Sequence, residues 1–413
     1  MSSYINNYIK SYGKNRIALV GANSQGKSYQ LNQLAKDKDI EGKVIYVESE
    51  TKPDENMKNS TDTATLIDWV TSLIGTEELN KVVDNTIEKI KIDNNNSKIK
   101  VELKNCVKTF KGLLELSITT GNNSKNLTGS GERVLGQLII IDNILKDGKN
   151  DDYEYLIVDE PEAHLHPSLY YLIAKTLKSI SEREIKVVIA THSEEILKFF
   201  VEDSDEIIMM KDLKPNPLKS TKYYYEIGKK IKFYLDEKYI MSSYKMIINK
   251  DFHYFEKIML DGIYSALFSN IALLGEGVIE TEFYNLYKDE FYDVFYNENI
   301  SIVITYGKVM MPWYIDILND IGIKTICMYD KDNEDNYIQK ELNNYIKTEA
   351  NDYIELTGET QKSNNMEGYL GIYIKERDKG KYNITELRYM YINREIKLIN
   401  LLNIINKKIT NLE

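Results

Sequence analysis

Short apolar runs of four or five residues recur along this chain, many of them followed by a polar or glycine-rich turn and then a helical stretch. Arg16-Ile17-Ala18-Leu19-Val20 is the first, and helix-type spacing follows from Tyr29 to Lys36. Lys43 to Val47, Tyr155 to Val158, Ile185 to Ala190 and Asp205 to Met210 continue the series. Their apolar residues are contiguous rather than alternating, which is the pattern of strands covered on both faces of a parallel sheet. Pro53 to Thr63 is polar and reads as a loop. Thr65 to Val83 places Leu66, Trp69, Val70, Leu73 and Ile74 on one helical face. Asp93 to Ser97 reads as a turn, and Lys98 to Leu103 alternates like a half-buried strand. Further helices are predicted up to Leu145 and over Ser168 to Ser181.

Lys214-Pro215-Asn216-Pro217 interrupts the pattern and marks a boundary. Tyr223 to Phe268 is rich in Tyr and Lys and reads as a helical connector, whose aromatic rings either pack between domains or stack on bases. Three more buried-strand runs follow, Asn270 to Leu274, Ile302 to Thr305 and Thr325 to Tyr329, separated by helical stretches. Strand and helix alternate again, so a second parallel sheet is expected. Ile384 to Leu412 is an amphipathic helical tail that packs on this second sheet or on a partner. The expected fold class is α/β, divided into 1–215, a connector over 216–267, a second sheet domain over 268–378 and a helical segment over 379–413.

Composition narrows the class. A chain of 413 residues accommodates two or three domains. Hydrophobic residues make up 42% and charged residues 28%, ordinary values for a soluble globular protein. No apolar run approaches the roughly 20 residues of a membrane span. The first residues lack the continuous apolar stretch of a secretory signal. The two cysteines, Cys106 and Cys327, lie far apart without metal-type spacing, which fits a reducing cytoplasm. The net charge of −11 argues against a generally basic coat for nucleic acid. It leaves room for a local basic groove or for metal-mediated phosphate contacts. No long internal repeat is present.

Three stretches of the first half carry chemistry. Gly21-Ala22-Asn23-Ser24-Gln25-Gly26-Lys27-Ser28 is a G-x-x-x-x-G-K-S phosphate loop between a strand and a helix. Gly21, Asn23, Ser24 and Gly26 belong to the loop whose N–H groups turn inward around phosphate oxygens. Lys27 can reach the β- and γ-phosphates of ATP, and Ser28 can ligate Mg²⁺. Asp159 and Glu160 end a buried strand, at the edge where ligands of open α/β sheets sit. There Asp159 can hold Mg²⁺ and Glu160 can polarise the attacking water. His192 ends a strand expected to run parallel to that one, within reach of the same γ-phosphate. Leu127 to Arg133 precedes a helix with glycines and a hydroxyl, so Ser130 and Gly131 suit a phosphate offered by a second subunit.

In the second half, Glu276, Asp330 and Asp332 fall at carboxyl ends of strands, with Glu280 four residues after Glu276. Asp330 and Asp332 alternate, so along a strand they point the same way. Clustered carboxylates without basic partners nearby repel one another unless a divalent cation neutralises them. Mg²⁺ or Mn²⁺ is the natural filler for such oxygen ligands.

Together these motifs resemble a known family. Gly21–Ser28, Ser130-Gly131-Glu132, Ile157–Pro167 and Thr191-His192-Ser193 appear in the order seen in ABC-type ATPases of the SMC, RecF and OLD group. The run DEPEAHLHP is most similar to the OLD (overcoming lysogenisation defect) nucleases. Glu276-Gly277 and Asp330-Lys331-Asp332 resemble the two acidic motifs of a Toprim domain. In OLD-type Toprim domains a second acid matches Glu280 and a late glutamate matches Glu367, while Lys379 and Lys381 are candidates for a late lysine. The resemblance implies an ABC-type P-loop ATPase head plus a Toprim parallel-sheet domain, joined by the helical connector. It implies two ATP molecules clamped in a homodimer of heads or a higher oligomer. Ser130 and Gly131 would contact the other subunit's ATP, and His192 would sense the γ-phosphate. Two departures stand out. No Gln lies between Leu34 and Gly136, so the usual Q-loop glutamine is replaced by Glu48, Glu50 or neither, and the usual strands before the phosphate loop are missing. The expectation is an ATP- and metal-dependent endonuclease acting on DNA ahead of RNA, in anti-phage defence and with a defence-system partner. An RNA- or tRNA-cleaving effector is the first alternative, and an ATP-driven sensor or scaffold with an inactive Toprim site is the second.

Overall fold

The computed structural model describes residues 2–21, 25–40, 43–48, 130–146, 153–211, 214–218, 257, 260–332, 337–357, 365–372 and 379–412. The helix expected over Thr65 to Val83, the strand over Lys98 to Leu103, most of the connector, and Asn23, Ser24, Glu50 and Cys106 lie outside these residues. The chain divides into two compact units, Met1–Glu202 with Glu206–Pro215, and Asp203–Asp205 with Asn216–Glu413.

The first unit is built on a six-stranded sheet. Its strands are β1 (Arg16–Val20), β2 (Val44–Glu48), β3 (Tyr155–Asp159), β4 (Lys186–Ala190), β5 (Ile207–Lys211) and β6 (Lys214–Pro217), in spatial order β2-β3-β4-β1-β5-β6. The pairings β2/β3, β3/β4, β4/β1 and β1/β5 are all parallel. The apolar runs of β1, β3, β4 and β5 are buried along their length, as their contiguity requires, whereas β2, at the sheet edge, buries Ile45 and Val47 and leaves Val44 and Tyr46 half-buried. Around the sheet lie α1 (Ser2–Ser11), α2 (Lys27–Ala35), α3 (Ser130–Lys146), α4 (Tyr170–Ser181) and α5 (Glu194–Phe200). Leu31 and Leu34 of α2 and Ile9 of α1 share a core with Ile17, Leu19, Ile157 and Val188. Lys214 to Pro217 does not simply break the chain: it forms the edge strand β6. Pro215 and Pro217 are tolerated there because an edge strand leaves one side without ladder bonds.

The second unit carries a four-stranded sheet of β7 (Ile271–Gly275), β8 (Ile300–Ile304), β9 (Lys324–Asp330) and β10 (Asp352–Leu356), in order β10-β9-β7-β8 and parallel throughout. The chain leaves β7 toward β8 on one side and returns to β9 on the other. The carboxyl ends of β7 and β9 therefore flank the point where the strand order reverses, the usual ligand crevice of such sheets. Packed with the sheet are α6 (Val278–Glu290), α7 (Tyr292–Asn297), α8 (Met311–Asp320), α9 (Tyr337–Glu349) and the short α10 (Met366–Leu370). The tail forms α11 (Lys379–Ile392) and α12 (Ile396–Thr410). Its Leu387, Leu398, Leu401, Leu402, Ile405 and Ile409 join the same core as Ile271, Leu273, Phe283 and Tyr287. The tail is thus part of the second unit's core.

Candidate functional sites at the carboxyl edges of the two sheets

In the first unit, β1 runs straight into the phosphate loop. Gly21 has φ +134°, and a Cβ there would lie 2.4 Å from the carbonyl oxygen of Met210, so only glycine lets β1 turn beside β5. Gly26, at φ +83°, delivers the chain into α2. Lys27 is buried, and its Nζ donates to the carbonyl of Gly21 at 2.8 Å. Burial pushes its pKa down to about 8, against the opposing pull of Glu160, Asp159 and Glu162. Ser28 is exposed in the first turn of α2, and Ser130 and Gly131 open α3.

Asp159 closes β3 in register with Glu48 of β2 and Ala190 of β4. Glu48 thereby ends at the same edge. Glu160 follows in a left-handed conformation, φ +46°, while its N–H donates to the carbonyl of Ala190 at 2.8 Å. Such backbone costs about 1 kcal/mol or more for a residue with a Cβ and concentrates at functional sites. The Oε1 of Glu160 lies 3.5 Å from Nε2 of His192. Burial, then Lys27, pushes the His192 pKa down to about 4, so the imidazole is neutral at neutral pH and the approach is not an ion pair. Glu162, whose carboxylate accepts from Thr191 Oγ1 at 2.8 Å and from the N–H of His192 at 2.5 Å, was not singled out by its sequence pattern.

In the second unit, Glu276 follows β7 and its Oε1 accepts from the N–H of Asp330 at 3.0 Å. Asp330 closes β9, and its Oδ1 accepts from the N–H of Met366 at 3.0 Å, which ties the start of α10 to the strand end. Glu367, half-buried on α10, stands within electrostatic reach of Asp330 and Glu280. Burial, reinforced by Glu276, Glu280, Asp332 and Glu367, pushes the Asp330 pKa up to about 9. Burial raises Glu276 to about 7, opposed by Lys308. Burial also raises Glu280.

Two expectations need correcting here, and one acid has a second role. Asp332 does not continue the alternation of β9: the strand ends at Asp330, and Asp332 is left-handed at φ +55°. Glu280 uses one oxygen on its own helix, because its Oε2 accepts from the N–H of Gly277 at 2.9 Å and caps α6. The carboxylates also have a basic partner. Lys308, almost wholly buried, donates to Oδ2 of Asp332 at 2.6 Å and to the carbonyl of Asp330 at 2.5 Å. It was legible only as the cation just after β8, at the same carboxyl edge as the acids. Lys379 and Lys381 fall in the first turn of α11.

The donor set is all hard oxygen, and carboxyls raised so far mark an unmet need for positive charge, so Mg²⁺ or Mn²⁺ suits it chemically. Among the described residues, no group of three or more His, Cys, Asp or Glu is arranged to hold an ion as it stands.

Fold and sites together define a two-part α/β protein, a phosphate-loop ATPase domain followed by a Toprim domain. A family model described as an AAA ATPase domain matches residues 2–197, and one described as the TOPRIM domain of overcoming lysogenization defect protein-like chains matches 267–332. In its Toprim region, and in its similarity to curated nucleases, the chain resembles the overcoming-lysogenization-defect, or OLD, proteins. The Old nuclease of Escherichia phage P2 is 31% identical over 187 residues, which are 45% of this chain and 29% of that protein. Endonuclease GajA of Bacillus cereus (strain VD045) is 24% identical over 205 residues, 50% of this chain and 31% of that protein. The matched region is therefore under a third of these relatives' length. Among solved structures, a dimeric ATP-binding cassette in a post-hydrolysis state with ADP and phosphate covers 51% of this chain and 88% of its own, at 17% identity and a TM-score of 0.26. Among the described residues, no helix is long and apolar enough to cross a membrane.

Proposed function

We propose that this protein is an ATP-dependent, divalent-metal-dependent endonuclease of the OLD type that cleaves or nicks DNA, acting in anti-phage defence in the cytoplasm. The observation that carries the reading is the meeting of Glu276, Glu280, Asp330, Asp332 and Glu367 at the reversal point of the second sheet, with Asp330 raised to about 9. Burial first, and then four acidic neighbours within electrostatic reach, disfavour the charge on this carboxylate, an arrangement that suits cation binding rather than stability. A metal held by Glu276, Asp330 and Asp332, with Glu280 and Glu367 beside them, would supply charge for the developing phosphoryl oxygens. Lys308 holds the Asp332 carboxylate in place and adds a fixed positive charge.

In the first unit, Lys27 and the loop N–H groups would bind the triphosphate, and Ser28 and Asp159 would hold Mg²⁺, which would supply positive charge to its phosphate oxygens. Glu160 accepts a proton from water, and the neutral imidazole of His192 donates toward the γ-phosphate. Ser130 and Gly131 serve ATP of a second head, so the working unit is a homodimer or a higher oligomer. Of the described residues, Glu48 stands in for the missing Q-loop glutamine in this reading, because it ends beside Asp159. The boundaries 1–215, 216–267, 268–378 and 379–413 describe the ATPase head, connector, Toprim domain and tail of this reading.

The deciding experiment offers purified protein, with Mg²⁺ or Mn²⁺ and with or without ATP, plasmid DNA, single-stranded DNA and tRNA side by side. Metal-dependent cutting of DNA supports the reading, and cutting of tRNA alone replaces the substrate. ATP turnover without cleavage of any of them makes the chain a sensor or scaffold.

A further inference from the structure

Between Glu160 and Pro167 the chain makes a tight turn with left-handed residues at both ends, Glu160 at φ +46° and His164 at φ +60°. Backbone bonds from Ala163 N–H to Glu160 and from Leu165 N–H to Glu162 close it. Glu162 sits in the middle, and its side chain leaves the turn to reach the segment after β4. Its Oε1 takes two hydrogen bonds there, from the hydroxyl of Thr191 at 2.8 Å and from the N–H of His192 at 2.5 Å. The Thr191 hydroxyl oxygen in turn accepts from the N–H of Ser193 at 3.0 Å, and Ser193 Oγ caps α5 by accepting from the N–H of Ile196 at 3.1 Å. One carboxylate oxygen therefore holds the His192 N–H directly and, through the Thr191 hydroxyl, the segment that leads to the cap of α5. Oε2 of Glu162 is shielded from solvent and has no hydrogen-bond partner among the described residues. A buried carboxylate with one oxygen left over is expensive, and the turn it holds is the one that carries His192.

We propose that Glu162 is a positioning residue: it clamps Thr191-His192-Ser193 against the Asp159-Glu160 edge and so sets the approach of His192 to Glu160. Glu162 does not contact the nucleotide in this scheme. It works through two donors that a glutamine oxygen at the same place would also satisfy, which separates its role from that of a charge. The proposal rests on the ATPase reading for its consequence in turnover, and on the geometry alone for its consequence in the turn.

The test compares Glu162→Ala, Glu162→Asp and Glu162→Gln with the parent. Hydrogen exchange over residues 190–196 reads the turn without any nucleotide. Loss of the acceptor in Glu162→Ala should expose the His192 amide and speed its exchange by at least about tenfold, while Glu162→Gln keeps near-parental protection. ATP turnover should fall about tenfold or more in Glu162→Ala with nucleotide affinity held within about threefold, because a displaced His192 is a transition-state loss and not a binding loss. Glu162→Asp, too short by one methylene to serve both donors, should fall between; it keeps the test open if the alanine variant does not fold. Unchanged exchange in Glu162→Ala overturns the proposal. So does loosened exchange with parental turnover, and so does a Gln variant as impaired as the Ala variant. If the parent hydrolyses no ATP, the ATPase reading fails, and the exchange result alone decides whether Glu162 holds the turn.

Discussion

Glu160 and Lys308 show what single side chains contribute. Glu160 is held left-handed by its neighbours and keeps its carboxylate beside a neutral imidazole. Replacing it with Gln preserves shape but removes the proton acceptor, so Glu160→Gln should bind ATP like the parent and turn it over at least about a hundredfold more slowly. Equal turnover in the variant would assign the base elsewhere. Lys308 offers a second check, because its ammonium donates to the Asp332 carboxylate. Lys308→Met removes a positive charge from an acidic cluster. The metal-free variant should melt at a lower temperature than the parent, and titrated Mn²⁺ should recover more stability in the variant than in the parent. A variant that melts like the parent without metal would show that Lys308 does not neutralise the cluster.

At the level of elements, the candidate site of the second unit depends on how closely a helix can approach a strand end. Gly275 closes β7, and a Cβ there would lie 2.7 Å from Cβ of Glu280 and 3.3 Å from the ring of Tyr284. Gly275→Ala therefore pushes α6 away from the sheet. Overpacking of this kind typically costs about 1–3 kcal/mol. Chemical denaturation should show that loss, and Mn²⁺ affinity should fall with it as Glu280 moves; unchanged stability would mean that α6 shifts without strain. The tail helices were readable as amphipathic, but their partner was not, since a helical stripe states that it must be covered and not by what. β10 escaped the sequence reading because Asp352–Leu356 carries only Ile354 and Leu356 as fully buried residues, too few to stand out as an apolar run.

Across the whole molecule, the two candidate sites sit on two separate sheets. Asp330→Ala should abolish metal-dependent cleavage while ATP turnover on the same preparation survives, and loss of both together would tie the sites more tightly than the fold suggests. Protons should compete with metal in a predictable direction. Asp330 and Glu276 have folded pKa values raised to about 9 and about 7, so the folded state holds protons that the unfolded chain has released. Their contribution to stability is complete below the unfolded values and is lost as pH rises through the folded ones. Metal-free protein should therefore melt at a lower temperature at pH 9 than at pH 6, and Mn²⁺ should recover more stability at the higher pH. A metal-free melting temperature that rises over this interval would show that these carboxyls are not the buried, repelling pair described.

What the sequence determined by itself is local: which runs are buried strands, where a phosphate loop turns into a helix, and which acids stand at strand ends. Those features depend on neighbours a few residues away, so Gly21 to Lys27, Asp159 with Glu160, and Glu276 with Asp330 were all legible. Only the tertiary structure decided the rest, because contacts between distant segments leave no periodicity. The strand order that puts β7 beside β9 brings Glu276 within 3.0 Å of the Asp330 N–H. The same assembly gives the acids a buried lysine from the end of β8, turns Asp332 out of its strand, makes Glu280 a helix cap, and sends Glu162 across to hold the turn of His192. For Lys308, Glu280 and Glu162 the reason is burial, which obliges a polar group to find a partner wherever the fold supplies one.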